Sequence, residues 1–186
     1  MHDPALGRYI ESDPIGLQGG VNTFAYGLQN PLEYIDPDGL VVKVVAQNAQ
    51  EADELMKAYA RINRTAKGRA ITGRLERSAE VCEIRPIHHD AFYCPRNTTD
   101  PKCQGKKHTV FIDPNNAISV PTTRGMQPSP LEVTLGHELG HANGERDDGP
   151  GAMNNVNTNE NPIRAGLGLP ARTEYYVPSI IWTPRR

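Results

Sequence analysis

The sequence predicts a small, loop-rich α+β domain in which one helix lies over a short β-sheet. Three observations predict it. Leu131, Leu135, Leu139 and Ala142 recur at helical spacing behind Ser129-Pro130. Val41–Val45, Val81–Arg85 and His108–Asp113 are β-branched or alternating runs of strand length. Sixteen Pro and seventeen Gly in 186 residues cut the chain into short elements.

Taken in order, residues 1–40 are dense with turn signals: Asp3-Pro4, Asp13-Pro14, Gly19-Gly20, Asn30-Pro31 and Asp36-Pro37-Asp38-Gly39. Arg8–Ile10 and Thr23–Tyr26 between them read as short strands, too few to build a core. This segment carries one basic and six acidic residues, net -5, against 19 basic and 16 acidic in the remainder, net +3. The shift marks two segments, 1–40 and 41–186, and the mild positive excess gives no basic stripe for nucleic acid. From Val41 a strand leads to a helix over about 49–65, opened by the box-like Asn48-Ala49-Gln50-Glu51, carrying Leu55, Tyr59 and Ile62, and broken by Lys67-Gly68-Arg69. Ile71–Arg77 has no decisive pattern. The strands at 81–85 and 108–113 are expected to pair beneath the 131–142 helix. His88 and His89 read as loop residues, since adjacent side chains on a strand point apart. Cys94 and Cys103 flank a polar loop that they either close with a disulfide or leave with free thiols. No run approaches the roughly 18 apolar residues of a membrane span, and Met1-His2-Asp3-Pro4 lacks a signal-peptide pattern.

The chemistry concentrates in the helix. Ser129 is its expected N-cap, Pro130 its first residue and Glu132 the partner in a capping box. Within it, His137-Glu138-Leu139-Gly140-His141 reads HExxH. Positions four apart share a helical face, so His137 and His141 can hold one Zn²⁺ with room for a third ligand and a water. Glu138 is placed to take the proton of that water. Gly136 and Gly140 each cost about 1 kcal/mol of helix propensity and make sense where another segment packs close. Two carboxylates compete as third ligand: Asp147, at the HExxHxxGxxD position with Gly144 permitting the turn and Met153 downstream, and Glu160, nineteen residues after His141.

Two resemblances add to this. Residues 3–17, Asn22–Tyr26 and Asn30–Leu40 closely resemble the end of an Rhs/YD-repeat core, which ends in PxxxxDPxGL, here Pro31–Leu40. The resemblance implies a β-shell around a variable C-terminal toxin, and self-cleavage after Leu40 by Asp13 and Asp36. With no shell in this chain, it reads as a fragment or a displaced cassette. The second resemblance covers about 131–176. HELGH followed by Glu160-Asn161-Pro162-Ile163-Arg164 and Leu167-Gly168-Leu169-Pro170-Ala171-Arg172 is similar to zinc metallopeptidase effectors related to clostridial neurotoxin light chains. It implies a zincin-like fold with Glu160 as third ligand, and Arg172 and Tyr175, at RxxY spacing, assisting the oxyanion.

Together these give the expectation of a zinc endopeptidase, the tip of an Rhs-type polymorphic toxin. It would be delivered without a classical signal peptide and act on a protein in the target cell. An Rhs shell and a cognate immunity protein are the expected partners, with neither nucleic acid nor a membrane span. The rivals are an inactive interaction module in which HExxH is scaffold, and a toxin acting on nucleic acid.

Overall fold

The computed structural model describes residues 42–175 and the strands His2–Asp3, Arg8–Tyr9, Tyr34–Ile35 and Trp182–Pro184. The chain folds as an α+β protein around a five-stranded mixed sheet. The strands are β1 (His2–Asp3), β2 (Arg8–Tyr9), β3 (Tyr34–Ile35), β4 (Val42–Val44), β5 (Cys82–Pro86), β6 (Ala91–Cys94), β7 (Thr109–Ile112), β8 (Asn116–Thr122), β9 (Gly125–Pro128) and β10 (Trp182–Pro184). The main sheet runs β3-β4-β5-β7-β6, with β4, β5 and β7 mutually parallel and both edges antiparallel. The expected partners at 81–85 and 108–113 thus do pair, in parallel. A second sheet, β10-β8-β9, is antiparallel, and β1 pairs with β2. Because β3 pairs with β4, the main sheet takes in a strand from within residues 1–40. Asp13, Asp36, Leu40 and the stretch Thr23–Tyr26 lie outside the described residues.

Helices α1 (Ala49–Ile62) and α2 (Ala66–Glu76) form the crossover between the parallel β4 and β5. Asn48 caps α1 by accepting the Glu51 N–H at 2.9 Å, and the Glu51 carboxylate accepts from the Gln47 N–H at 3.2 Å. Leu55, Tyr59 and Ile62 are buried as the periodicity requires. The helix stops earlier than the sequence suggests, and its break is not at Lys67–Arg69. Thr65 accepts the Gly68 N–H and starts α2, so Gly68 lies inside a helix. Its missing side chain is needed there, since a Cβ would sit 2.0 Å from the Ile62 carbonyl oxygen.

Helix α3 (Leu131–Ala142) packs on β6 and β7 and against α1 and α2, with Val133, Leu135 and Leu139 fully buried. Its expected capping box does not form. Pro130 is the N-cap, with extended backbone, and Ser129 Oγ accepts instead from the buried Arg164 Nη2 at 3.1 Å. A π-helical turn, Val156–Glu160, continues into α4 (Asn161–Gly166) and lies along α3. The two glycines of α3 face it. A Cβ on Gly136 would meet Ile163 Cδ1 at 2.4 Å, and one on Gly140 would meet Asn155 Oδ1 at 2.5 Å. Cys94 and Cys103 form a disulfide that closes the loop beyond β6. His88 and His89 are exposed in the turn before β6, as expected of loop residues.

Candidate metal centre

Helix α3 presents His137 and His141 side by side, ring centroids 4.9 Å apart. It ends in a Schellman turn. Gly144, at φ +95°, donates to the His141 carbonyl, and the Glu145 N–H reaches back to the Gly140 carbonyl. That left-handed residue folds the chain back across the helix face and brings Asp147 over both imidazoles. One Asp147 oxygen lies 3.4 Å from His137 Nε2 and the other 3.0 Å from His141 Nε2. His137, His141 and Asp147 each offer one ligand atom, all within 4.8 Å of one another.

The other ring nitrogens are anchored. His137 Nδ1 meets Glu160 Oε2 at 3.1 Å, and His141 Nδ1 meets the Glu145 carbonyl at 2.8 Å. Both partners are acceptors, so each Nδ1 carries the hydrogen, and a neutral ring then aims its Nε2 lone pair at the Asp147 carboxylate. Acceptors converging on one point repel unless a cation joins them. Asp147 Oδ1 is also the buried side-chain oxygen that lacks a hydrogen-bond partner among the described residues. Around a tetrahedral zinc with bonds of about 2.0–2.1 Å, neighbouring ligand atoms stand about 3.3 Å apart, and here one atom from each of the three side chains lies within 4.8 Å of the others. The donor set, two imidazoles and a carboxylate, suits Zn²⁺.

Electrostatics agree. Burial disfavours charge on His137, but the Asp147 and Glu160 carboxylates on either side of its ring outweigh this and raise its pKa to about 10. Burial opposes charge on His141 too, and Asp147 and Glu138 again raise it. Burial would lift Asp147, yet both histidines and Tyr175 hold it well below the usual carboxylate range. The cluster thus demands positive charge, which a dication can supply in place of protons.

Glu160, expected as third ligand, occupies a different place. Its carboxylate stands behind His137, on the ring nitrogen away from Asp147, and is not in the three-residue group. Arg164 Nε donates to its Oε1 at 2.9 Å and Arg172 Nη1 to its Oε2 at 3.0 Å. Burial raises the Glu160 carboxyl, but His137 and the two arginines bring it down to about 2. This is the arrangement in which a carboxylate orients a metal-binding imidazole. Arg172 is committed as well: Nε donates to the Glu174 carbonyl and Nη2 to the Tyr175 carbonyl, and it does not line the cleft.

That cleft, of about 970 Å³, is lined by Glu138, His141, Asp147 and Tyr175 among others. Glu138 is buried, and burial raises its pKa although the two histidines pull it down. The Tyr175 hydroxyl donates to Asp147 Oδ2 at 2.6 Å, and its ring stacks on His137 at 6.0 Å between centroids. Asn155, fully buried on the π-turn side, donates to the His137 carbonyl at 3.0 Å and lies 3.2 Å from His141 Nε2. Sequence reasoning passed over Asn155, Arg164 and the Glu145 carbonyl. Only Arg164 had a signal, four residues after Glu160 on one helical face.

No protein-family model and no solved structure matches the chain. Short matches in the N-terminal region include Rhs-associated toxin proteins. Toxin protein Tse5 of Pseudomonas aeruginosa is 46% identical over 46 residues, 25% of this chain and 4% of that one. The probable deoxyribonuclease RhsB of Dickeya dadantii is 40% identical over 53 residues, 28% of this chain and 4% of its own length. Escherichia coli YibJ is 60% identical over 40 residues, 22% of this chain and 17% of YibJ. The chain therefore spans a small fraction of the length of the curated relatives it matches.

Proposed function

We propose that residues 41–186 are a zinc-dependent endopeptidase, the toxin tip of an Rhs-type polymorphic toxin, with His137, His141 and Asp147 holding the ion. The observation that carries this reading is the convergence of two Nδ1-anchored imidazoles on the Asp147 carboxylate, His137 Nε2 facing Oδ1 and His141 Nε2 facing Oδ2, with Glu138 lining the same cleft. Zinc bound there would supply Lewis-acid polarisation of a carbonyl and a water acidified to a pKa of about 7. Glu138 takes the proton of the attacking water and returns one to the leaving amine. Tyr175, whose hydroxyl lies on the cleft beside Asp147, turns to donate to the oxyanion. Glu160, clamped by Arg164 and Arg172, keeps His137 oriented.

A peptide is favoured as substrate by β6. It is one of the two edge strands of the main sheet among the described residues, packs beside α3, and supplies Ala91, Phe92 and Tyr93 to the cleft. An extended peptide can pair with its open side. The N-terminal matches support a delivered effector, and no helix among the described residues is long and apolar enough to cross a membrane. A protein target, a cognate immunity protein and a parental Rhs shell are the partners this reading requires. A second reading, hydrolysis of nucleic acid, draws on the relative named as a deoxyribonuclease and on arginines in the cleft.

The test is Glu138→Gln. It keeps size and removes the base, so the variant should fold, retain zinc and lose 10²–10⁴-fold or more in activity, abolishing toxicity in a susceptible cell. Toxicity equal to the parent at equal expression would return HExxH to scaffold.

A further inference from the structure

We propose that the cleft selects peptides carrying an Asp or Glu side chain at one fixed position beside the scissile bond, held by Arg74 and Arg96. This rests on the peptidase reading and specifies its substrate class. One wall of the cleft is the end of α2 and the turn after it, with Arg74, Leu75 and Ser78. The facing wall is β6 and the start of the disulfide-closed loop, with Tyr93, Pro95 and Arg96. The walls meet where Arg96 Nη2 donates to Ser78 Oγ at 3.3 Å. Arg96 is already oriented: its Nε pairs with Glu80 at 2.8 Å, and Nη2 lies 3.5 Å from His108 Nε2. Arg74 makes no ion pair with a described residue. Both arginines are exposed, one on each wall.

The charge balance points the same way. Glu138 and Asp147 belong to the metal site. Of the remaining lining residues Glu145 is acidic, against Arg74, Arg96 and Arg146. Glu80 offsets part of the Arg96 charge but faces its Nε, leaving Nη1 without a recorded partner among the described residues. A guanidinium fork matches a carboxylate and stays charged at every working pH. A peptide paired along β6 sends alternate side chains to opposite faces, so one set of its side chains would face the cleft that Arg74 and Arg96 line. A phosphodiester would also meet guanidinium groups, but it gains nothing from the open edge of β6, and it is therefore a possible outcome of the test.

The experiment is cleavage of a proteome-derived peptide library by the zinc-loaded full chain, read by mass spectrometry. The expected result is Asp or Glu enrichment at a single position relative to the cut, with about a tenfold kcat/KM advantage for a Glu peptide over its Gln counterpart. Arg74→Glu combined with Arg96→Glu should turn that preference towards Lys and Arg while zinc content stays at the parental value. Cleavage with a flat positional profile, or an acid preference that survives both reversals, overturns the arginine assignment and leaves the peptidase standing. No cleavage of any peptide, with hydrolysis of DNA or RNA by the same preparation, overturns both.

Discussion

Glu160 and Asp147 are both carboxylates beside His137, and their partners separate their roles. Glu160 is balanced by two guanidinium groups and the Nδ1 hydrogen of His137, so its oxygens are spoken for. Asp147 keeps an oxygen without a partner and faces both Nε2 atoms. Glu160→Gln is therefore expected to loosen zinc by about 10–100-fold, the usual scale for a group that orients a ligand, measured by chelator competition. Unaltered affinity would remove Glu160 from the centre altogether. His137, Glu138 and His141 were legible in the sequence because one helix fixes their spacing. The choice between the two carboxylates was not, because it depends on the path of the chain after Gly144. Asp147 reaches the site through a turn closed by backbone hydrogen bonds, and no side-chain periodicity announces where such a turn delivers the next residues.

At the scale of elements, α3 works because something fits closely against it. Gly136 and Gly140 weaken it as an isolated helix, yet they let Ile163 and Asn155 approach to distances that a Cβ would forbid. Asn155 then reaches the His137 carbonyl and the edge of His141. Gly140→Ala would gain about 1 kcal/mol of helix propensity, but forcing Asn155 and Asn159 aside should cost about 1–3 kcal/mol or more. A lowered Tm together with weaker zinc binding is expected. A raised Tm with zinc binding intact would show that the π-turn side does not brace the site. The close approach was readable from the two glycines, although the identity of the segment that makes it was not. The missing capping box has a similar cause, since Ser129 is drawn to Arg164, a long-range partner that local pattern does not reveal.

Across the whole molecule, the α+β class, α1, the β5–β7 pair and the helix lying over the sheet were all readable, because apolar periodicity and β-branched runs mark what is buried. Strands β6, β8 and β9 were not. β8 and β9 contain Pro121 and Pro128 and many polar residues, and they hold together as a hairpin rather than by a continuous apolar face. β6 is short and half-buried at a sheet edge. The edge that borders the cleft is thus the part of the fold that pattern describes least. The parts meet at the candidate metal centre: α3 supplies the histidines, the turn after it Asp147, and the π-turn packs behind them. Zinc should therefore stabilise the entire fold by mass action. The most direct measurement is zinc content of the purified chain beside Asp147→Asn, by elemental analysis after gel filtration. About one Zn²⁺ per folded parent chain, with the ion lost from a still-folded Asp147→Asn, is the expected result. A parent without zinc, or an Asp147→Asn variant that holds it as tightly as the parent, would contradict the account.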